Sequence, residues 1–127
     1  MTAENRIAGY YTLSASIILA DDLPEETVKR LKWPRYRELP ATLIGRLARD
    51  ITFRGQGIGE LLLMDALKRA LNNVEVASLA VIVDSKDEEA RQFYARYGFL
   101  SFPDTEKRLY LPMKTVEKLF GPAGEQI

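Results

Sequence analysis

The chain has 127 residues, 46% hydrophobic and 28% charged, which fits one globular domain with room for a sizeable core. Eighteen Lys and Arg balance eighteen Asp and Glu, so a nucleic-acid or membrane partner would have to be met by a local patch rather than by bulk charge. The chain contains neither Cys nor His, which removes disulfides, thiolate nucleophiles, zinc-thiolate sites, imidazole bases and the Ser-His-Asp triad. Chemistry must then rest on Tyr, carboxylates, Lys or Arg, backbone dipoles and positioning, and no metal is expected. The longest nearly uncharged run, Ile7 to Ala20, is too short and too polar to span a bilayer and lacks the cationic start of a signal peptide. A cytoplasmic protein is the expectation.

In chain order, Ile7 to Leu19 is rich in β-branched and aromatic residues and reads as a strand, with Gly9 as a bulge position. Asp21 to Leu31 reads as a short helix, with Asp22 as its N-cap and Pro24 near the first helical position. Prolines at 34 and 40 make Lys32 to Pro40 a basic loop laced with Trp33 and Tyr36. Thr42 to Asp50 reads as a strand placing Leu43, Gly45, Leu47 and Arg49 on one face and Ile44, Arg46 and Ala48 on the other. From Gly57 to Asn72 the pattern is helical, with Glu60, Asp65, Lys68, Arg69 and Asn72 on the polar side. Ser78 to Asp84 is a short continuous apolar run, the mark of a strand covered on both faces. Asp87 or Ser85 caps a helix from Glu88 to Tyr97 that Gly98 stops. Phe99 to Phe102 and Leu109 to Met113 are the last strands, separated by a charged turn from Asp104 to Arg108. Val116 to Phe120 makes a final helical turn before a flexible Gly/Pro tail, residues 121–127. The order of elements gives a two- or three-layer α/β or α+β domain spanning residues 1–127.

Arg54-Gly55-Gln56-Gly57-Ile58-Gly59 joins a strand to a helix, and glycines there let backbone N–H groups approach an anion at the positive end of that helix. A pyrophosphate fits this cradle; a tight turn that merely solves a backbone problem fits it equally well. No Lys-Ser/Thr follows, so the loop is not a Walker A sequence, and Glu60 stands where a dinucleotide fingerprint needs its third glycine.

The R-x-x-G-x-G order of this loop resembles the acyl-CoA pyrophosphate motif of the GNAT superfamily of N-acetyltransferases. Glu89-Ala90-Arg91-Gln92-Phe93-Tyr94-Ala95-Arg96-Tyr97-Gly98-Phe99 resembles that superfamily's later A-x-x-F-Y-x-x-x-G-F segment. Together the two motifs and the strand between them cover about half the chain. Gly9-Tyr10-Tyr11-Thr12-Leu13 and Leu43 to Asp50 are further similar to stretches of the acetyltransferase toxins of type II toxin–antitoxin systems, which acetylate the α-amine of aminoacyl-tRNA. The resemblance implies a mixed, mostly antiparallel sheet flanked by helices, and acetyl-CoA as co-substrate. It also implies a strand, two helices and a second strand before the point where this chain starts. A missing strand would leave a sheet edge open to self-association, and a homodimer is one expected outcome.

By the same resemblance, Tyr94 is the general acid that protonates the departing thiolate; from spacing alone it reads rather as a core aromatic in a stripe with Phe93 and Tyr97. Leu47, Ala48 and Arg49 would offer main-chain groups to the pantetheine arm, although Arg49 departs from the small apolar residue expected there. Arg54, Gly55, Gln56, Gly57, Ile58 and Gly59 would hold the pyrophosphate. A lysine amine (pKa ~10.4) is protonated at neutral pH whereas an α-amine (~7.7–8.0) is partly neutral, which suits a chain without an imidazole base to an α-amine acceptor. For tRNA phosphates the candidates are Lys29, Arg30, Lys32, Arg35 and Arg37, interleaved with Trp33 and Tyr36, with Arg46 and Arg49 extending the patch; Glu25, Glu26 and Glu38 offer the alternative of a balanced, solvated surface. A small antitoxin is the implied protein partner. Two other functions stay open at this point: an acetyltransferase of a small amine or protein N-terminus, and a non-catalytic acyl-CoA-binding fragment.

Overall fold

The computed structural model describes residues 11–34, 36–45, 47, 58–72 and 78–125. Five strands form one mixed sheet, β1 (Thr12–Leu19), β2 (Glu38–Gly45), β3 (Ala80–Asp84), β4 (Leu100–Phe102) and β5 (Thr105–Pro112), in the order β1-β2-β3-β5-β4. Only the β2/β3 pair is parallel; the other neighbours run antiparallel. A parallel pair needs a crossover, and α2 (Ile58–Asn72) lies within it. The remaining helices are α1 (Glu25–Leu31), α3 (Glu88–Ala95) and α4 (Met113–Glu125). This is the mixed, mostly antiparallel sheet flanked by helices that the sequence implies.

β3 explains the layering. Four of its five residues, Ala80 to Val83, are buried, and they divide between two cores. Val81 and Val83 join Leu63, Ala66, Leu67 and Ala70 of α2, Tyr94 of α3 and Val116 of α4 on one face. Ala80 and Ile82 join Ile18, Leu39, Ala41 and Tyr110 on the other, where α1 and Trp33 form the cover. The result is three unequal layers.

Several boundaries differ from the sequence expectation, each for a physical reason. Pro40 lies inside β2 rather than in a loop. Its carbonyl accepts from the Leu79 N–H at 2.9 Å, so its missing N–H also points toward β3, whose pairing with β2 begins only at Thr42 and Val81. At the other end β2 stops at Gly45, short of Asp50; Leu47 has helical backbone and packs in the same core as Ile44 instead of sharing a face with Leu43. Residues 46 and 48–50 lie outside the described residues, as do 7–10 of the expected first strand. Asp22 ends a 3-10 turn, and the residue capping α1 is Pro24, with no side-chain hydrogen bond. Thr105 to Arg108 is strand rather than turn, so Pro103 and Asp104 alone separate β4 from β5. Residues 121–125, expected as a tail, are helical, because α4 runs from Met113 to Glu125.

Two glycines are placed by geometry. Gly98 takes φ +99° after α3, the conformation that ends the helix and that a residue with a Cβ rarely adopts, whereas the space beside it, with Leu111 Cδ1 at 3.4 Å, would admit a Cβ. Gly45 lies opposite Thr12 at the end of the β1/β2 ladder, and a Cβ would come within 2.6 Å of Thr12 Oγ1. Replacing Gly98 with Ala forces a side chain into a left-handed conformation, and urea unfolding should show a loss of about 1–2 kcal/mol. An unchanged midpoint would contradict the assigned backbone.

Candidate active site

The carboxyl ends of the parallel strands β2 and β3 lie side by side, and the helix following each strand starts there. In open α/β sheets this is where ligands bind, since helix N-termini with their free N–H groups converge on it. α2 begins at Ile58 with Gly59 buried, so the end of the glycine motif enters the packed body of the protein. Arg54, Gly55, Gln56 and Gly57, together with Arg46, Ala48, Arg49 and Arg35, lie outside the described residues. Leu47 is described and is almost wholly buried.

After β3, three polar residues divide the work. Asp87 has extended backbone and accepts a hydrogen bond from the Ala90 N–H at 2.8 Å, capping α3. Ser85 is buried and donates to the Lys107 carbonyl at 2.9 Å, tying the end of β3 to β5. Asp84 takes a two-pronged contact from Arg108 at 2.7 and 2.9 Å, a pair that holds the Arg108 guanidinium even more firmly protonated.

Tyr94 is 1% exposed on α3. Its ring meets Phe93 at 5.3 Å and Phe99 at 5.4 Å in the core that also contains Ile44 and Leu47. The aromatic stripe expected from spacing is therefore present, and Phe93 touches Tyr97 as well. Tyr94 thus shares a core with residues from the end of β2, as its reading as a core aromatic expects.

Two further tyrosines fasten α2, and the sequence reading assigned them no such part. Tyr97 donates to Glu60 in the first turn of α2 at 3.0 Å, and both burial and the carboxylate push its phenol upward in pKa. Tyr11 donates to Asp65 one turn further along, while Asp65 pairs with Arg69 at 3.2 Å and the Arg69 guanidinium lies 5.9 Å from the Tyr11 ring centre. Partial burial, then Asp65, raise the Tyr11 pKa to about 12. The available signal was the position of Glu60 and Asp65 on the polar face of α2, but no local rule names partners 37 and 54 residues away.

The basic patch is thinner than its sequence suggests. Lys29 is held by Glu25 at 3.1 Å, and Trp33 is buried edge-on to Tyr110 at 6.4 Å, which removes it as a stacking surface. Lys32, Arg37 and Tyr36 remain exposed, Tyr36 to 65%. Among the described residues no group of acidic side chains is arranged to hold a metal, and no helix is long and apolar enough to cross a membrane.

Residues 40–115 match the acetyltransferase (GNAT) domain family, and the chain belongs to that family. It is similar to a tRNA-acetylating toxin of Mycobacterium tuberculosis, 31% identical over 119 residues that cover 93% of this chain and 69% of that protein. Among solved structures it resembles AtaT complexed with acetyl-methionyl-tRNAfMet, at 29% identity and TM-score 0.71, and AtaTR bound with acetyl-CoA, at 27% and 0.66. In each case the match covers 89% of this chain and 66% of the other, so this chain spans about two thirds of the length of these proteins.

The Tyr11 phenol loses its proton more easily unfolded, near ~10, than folded, near 12. Its contribution to stability is therefore complete below pH ~10 and disappears as the pH rises through about 12. Tyrosinate absorbance should show a late-titrating phenol that Tyr11→Phe removes; a late titration unchanged by Tyr11→Phe would contradict the Asp65 bond.

Proposed function

We propose that this chain carries the catalytic core of an acetyl-CoA-dependent N-acetyltransferase whose acceptor is the α-amine of aminoacyl-tRNA, a toxin whose product blocks translation. The observation that carries this reading is family membership together with similarity, over nearly the whole chain, to a tRNA-acetylating toxin. The solved AtaT complex with acetyl-methionyl-tRNAfMet supports the same acceptor, and AtaTR bound with acetyl-CoA supports the donor. Such a reaction belongs in the cytoplasm with the charged tRNA pool, and a small antitoxin is the protein partner of this type of toxin.

The chemistry needs little from the side chains beyond placement. The neutral acceptor amine attacks the thioester carbonyl carbon, the C–S bond breaks as the amide C–N bond is completed, and the amine's surplus proton goes to water. The sulfur must leave as a thiol, and Tyr94 supplies that proton and regains one from solvent when the products leave; a phenol is in its donor form at neutral pH. Its burial favours the role, since a proton donor shielded from water gives its proton to the sulfur rather than exchanging it with solvent. In this reading Leu47, Ala48 and Arg49 offer backbone groups to the pantetheine arm. The pyrophosphate lies against Arg54, Gly55, Gln56, Gly57, Ile58 and Gly59, at the positive end of α2. Lys32, Arg35, Arg37 and Arg46 contact tRNA phosphates.

The test is transfer of labelled acetyl from acetyl-CoA to charged tRNA, with uncharged tRNA and a lysine peptide as controls. Label is expected on charged tRNA alone. Tyr94→Phe keeps the ring packed and should lower the rate about 10²–10⁴-fold. Raising salt should weaken tRNA binding steeply, and Lys32→Ala and Arg37→Ala should each flatten that slope. Label on the peptide but not on tRNA would replace the acceptor, and an undiminished Tyr94→Phe rate would remove the acid.

A further inference from the structure

Glu60 stands at an unfavourable place for a chain that binds a pyrophosphate. It is the third residue of α2 and the acidic residue of its first turn. A helix leaves its first N–H groups without partners of its own, and a Glu at the third position is well placed to reach back and take one of them. Those free N–H groups are also what a pyrophosphate needs from a helix start. Carboxylate and pyrophosphate therefore compete for the same donors, and the carboxylate, tethered to the helix, is always at hand.

The structure shows this carboxylate drawn elsewhere. Its Oε2 accepts a hydrogen bond from the Tyr97 hydroxyl at 3.0 Å, and among the described residues it makes no bond back to α2. Tyr97 is well fixed for the purpose. The Tyr97 N–H bonds the Tyr94 carbonyl at 2.9 Å and the Gly98 N–H bonds the Ala95 carbonyl at 3.0 Å, so a tight turn closes α3 where the phenol leaves it. The ring stands edge-on to Phe93, 5.4 Å between centres, and packs against the core that α2 shares. Burial, then Glu60, push the phenol upward in pKa, so it remains a donor throughout the neutral range.

We infer that Tyr97 is a positioning residue for acetyl-CoA: by holding the Glu60 carboxylate it keeps the first N–H groups of α2 open for the pyrophosphate. The inference rests on the pyrophosphate's place at that helix start in the function proposed for this chain. Without the Tyr97 hydroxyl, the carboxylate is released within reach of the helix start, and acetyl-CoA must displace it. Neither residue exchanges a proton with the reacting atoms, so the effect falls on binding rather than on the chemical step. Tyr97 lies three residues beyond Tyr94, so one short stretch of chain both carries the acid and holds the cradle open.

The test is calorimetric titration of acetyl-CoA into the full chain and three variants, with steady-state kinetics on charged tRNA alongside. Tyr97→Phe keeps the ring and its packing and should raise the acetyl-CoA dissociation constant about tenfold, with KM for acetyl-CoA rising and kcat little changed. Glu60→Ala alone should bind as tightly as the unaltered chain or more tightly. Tyr97→Phe combined with Glu60→Ala should recover that affinity, because no carboxylate is left to compete. Acetyl-pantetheine, which lacks the pyrophosphate, should react with the same KM in the unaltered chain and in Tyr97→Phe. If Tyr97 only packs α3 against α2, the double variant will be as weak as Tyr97→Phe and acetyl-pantetheine will suffer equally; either result would overturn the inference. Unchanged acetyl-CoA affinity in Tyr97→Phe would overturn it too. An unaltered chain that binds acetyl-CoA no better than acetyl-pantetheine would instead overturn the placement of the pyrophosphate itself, and the inference with it.

Discussion

The structure depends on the parallel contact between β2 and β3. Antiparallel neighbours can be joined by a tight turn, as β4 and β5 are across Pro103 and Asp104. A parallel neighbour can be reached only by a crossover, so the chain must leave the carboxyl end of β2, travel back beside the sheet and re-enter. That return journey includes α2, and it fixes α2 over the face where Ile44, Val81 and Val83 are buried. The same constraint brings the start of α2 to the end of the sheet where β2 and β3 finish. The candidate site is a by-product of connectivity before it is a feature of any side chain.

What holds this arrangement in register is mostly apolar, with a few polar ties where elements end. Asp84 with Arg108, and Ser85 with the Lys107 carbonyl, join the last residue of β3 and the residue after it to β5. Tyr97 with Glu60 and Tyr11 with Asp65 join α2 to the end of α3 and to the approach of β1. The ion pairs are exposed and contribute modestly to stability, on the order of 0–1 kcal/mol each. Their effect is to fix position: elements that would slide on a greasy interface are stopped at their ends.

Much of this was legible in the sequence where local chemistry and tertiary structure agree. The unbroken apolar run of β3, the Asp87 cap, the Gly98 stop and the amphipathic length of α2 all read correctly because each satisfies a need set within a few residues. Legibility failed where a distant partner changed the meaning of a residue. Pro40 breaks a strand only if its N–H is needed, and whether β3 needs it depends on a register set some forty positions later. Thr105 to Arg108 looks like a turn by charge, yet a strand one from the border tolerates polar residues, and Arg108 has Asp84 to meet. Trp33 and Tyr36 lie in one basic segment, but α1 folds over the sheet and buries the first while leaving the second in water. For the site, the two motifs identify the family from order alone, and the spacing of Phe93, Tyr94 and Tyr97 already reads Tyr94 as a core aromatic, as its burial bears out.

The close approach of Thr12 to Gly45 ties two distant parts of the chain into one unit of inheritance. With no room for a Cβ at 45 while the Thr12 hydroxyl stays where it is, a lineage can gain a side chain at 45 only after the residue at 12 has turned away or shrunk. The order of the changes matters: a smaller residue at 12 costs little and opens the path, whereas a larger one at 45 closes it. Across descendants of this sequence the two positions should drift together, although they lie 33 positions apart in the chain.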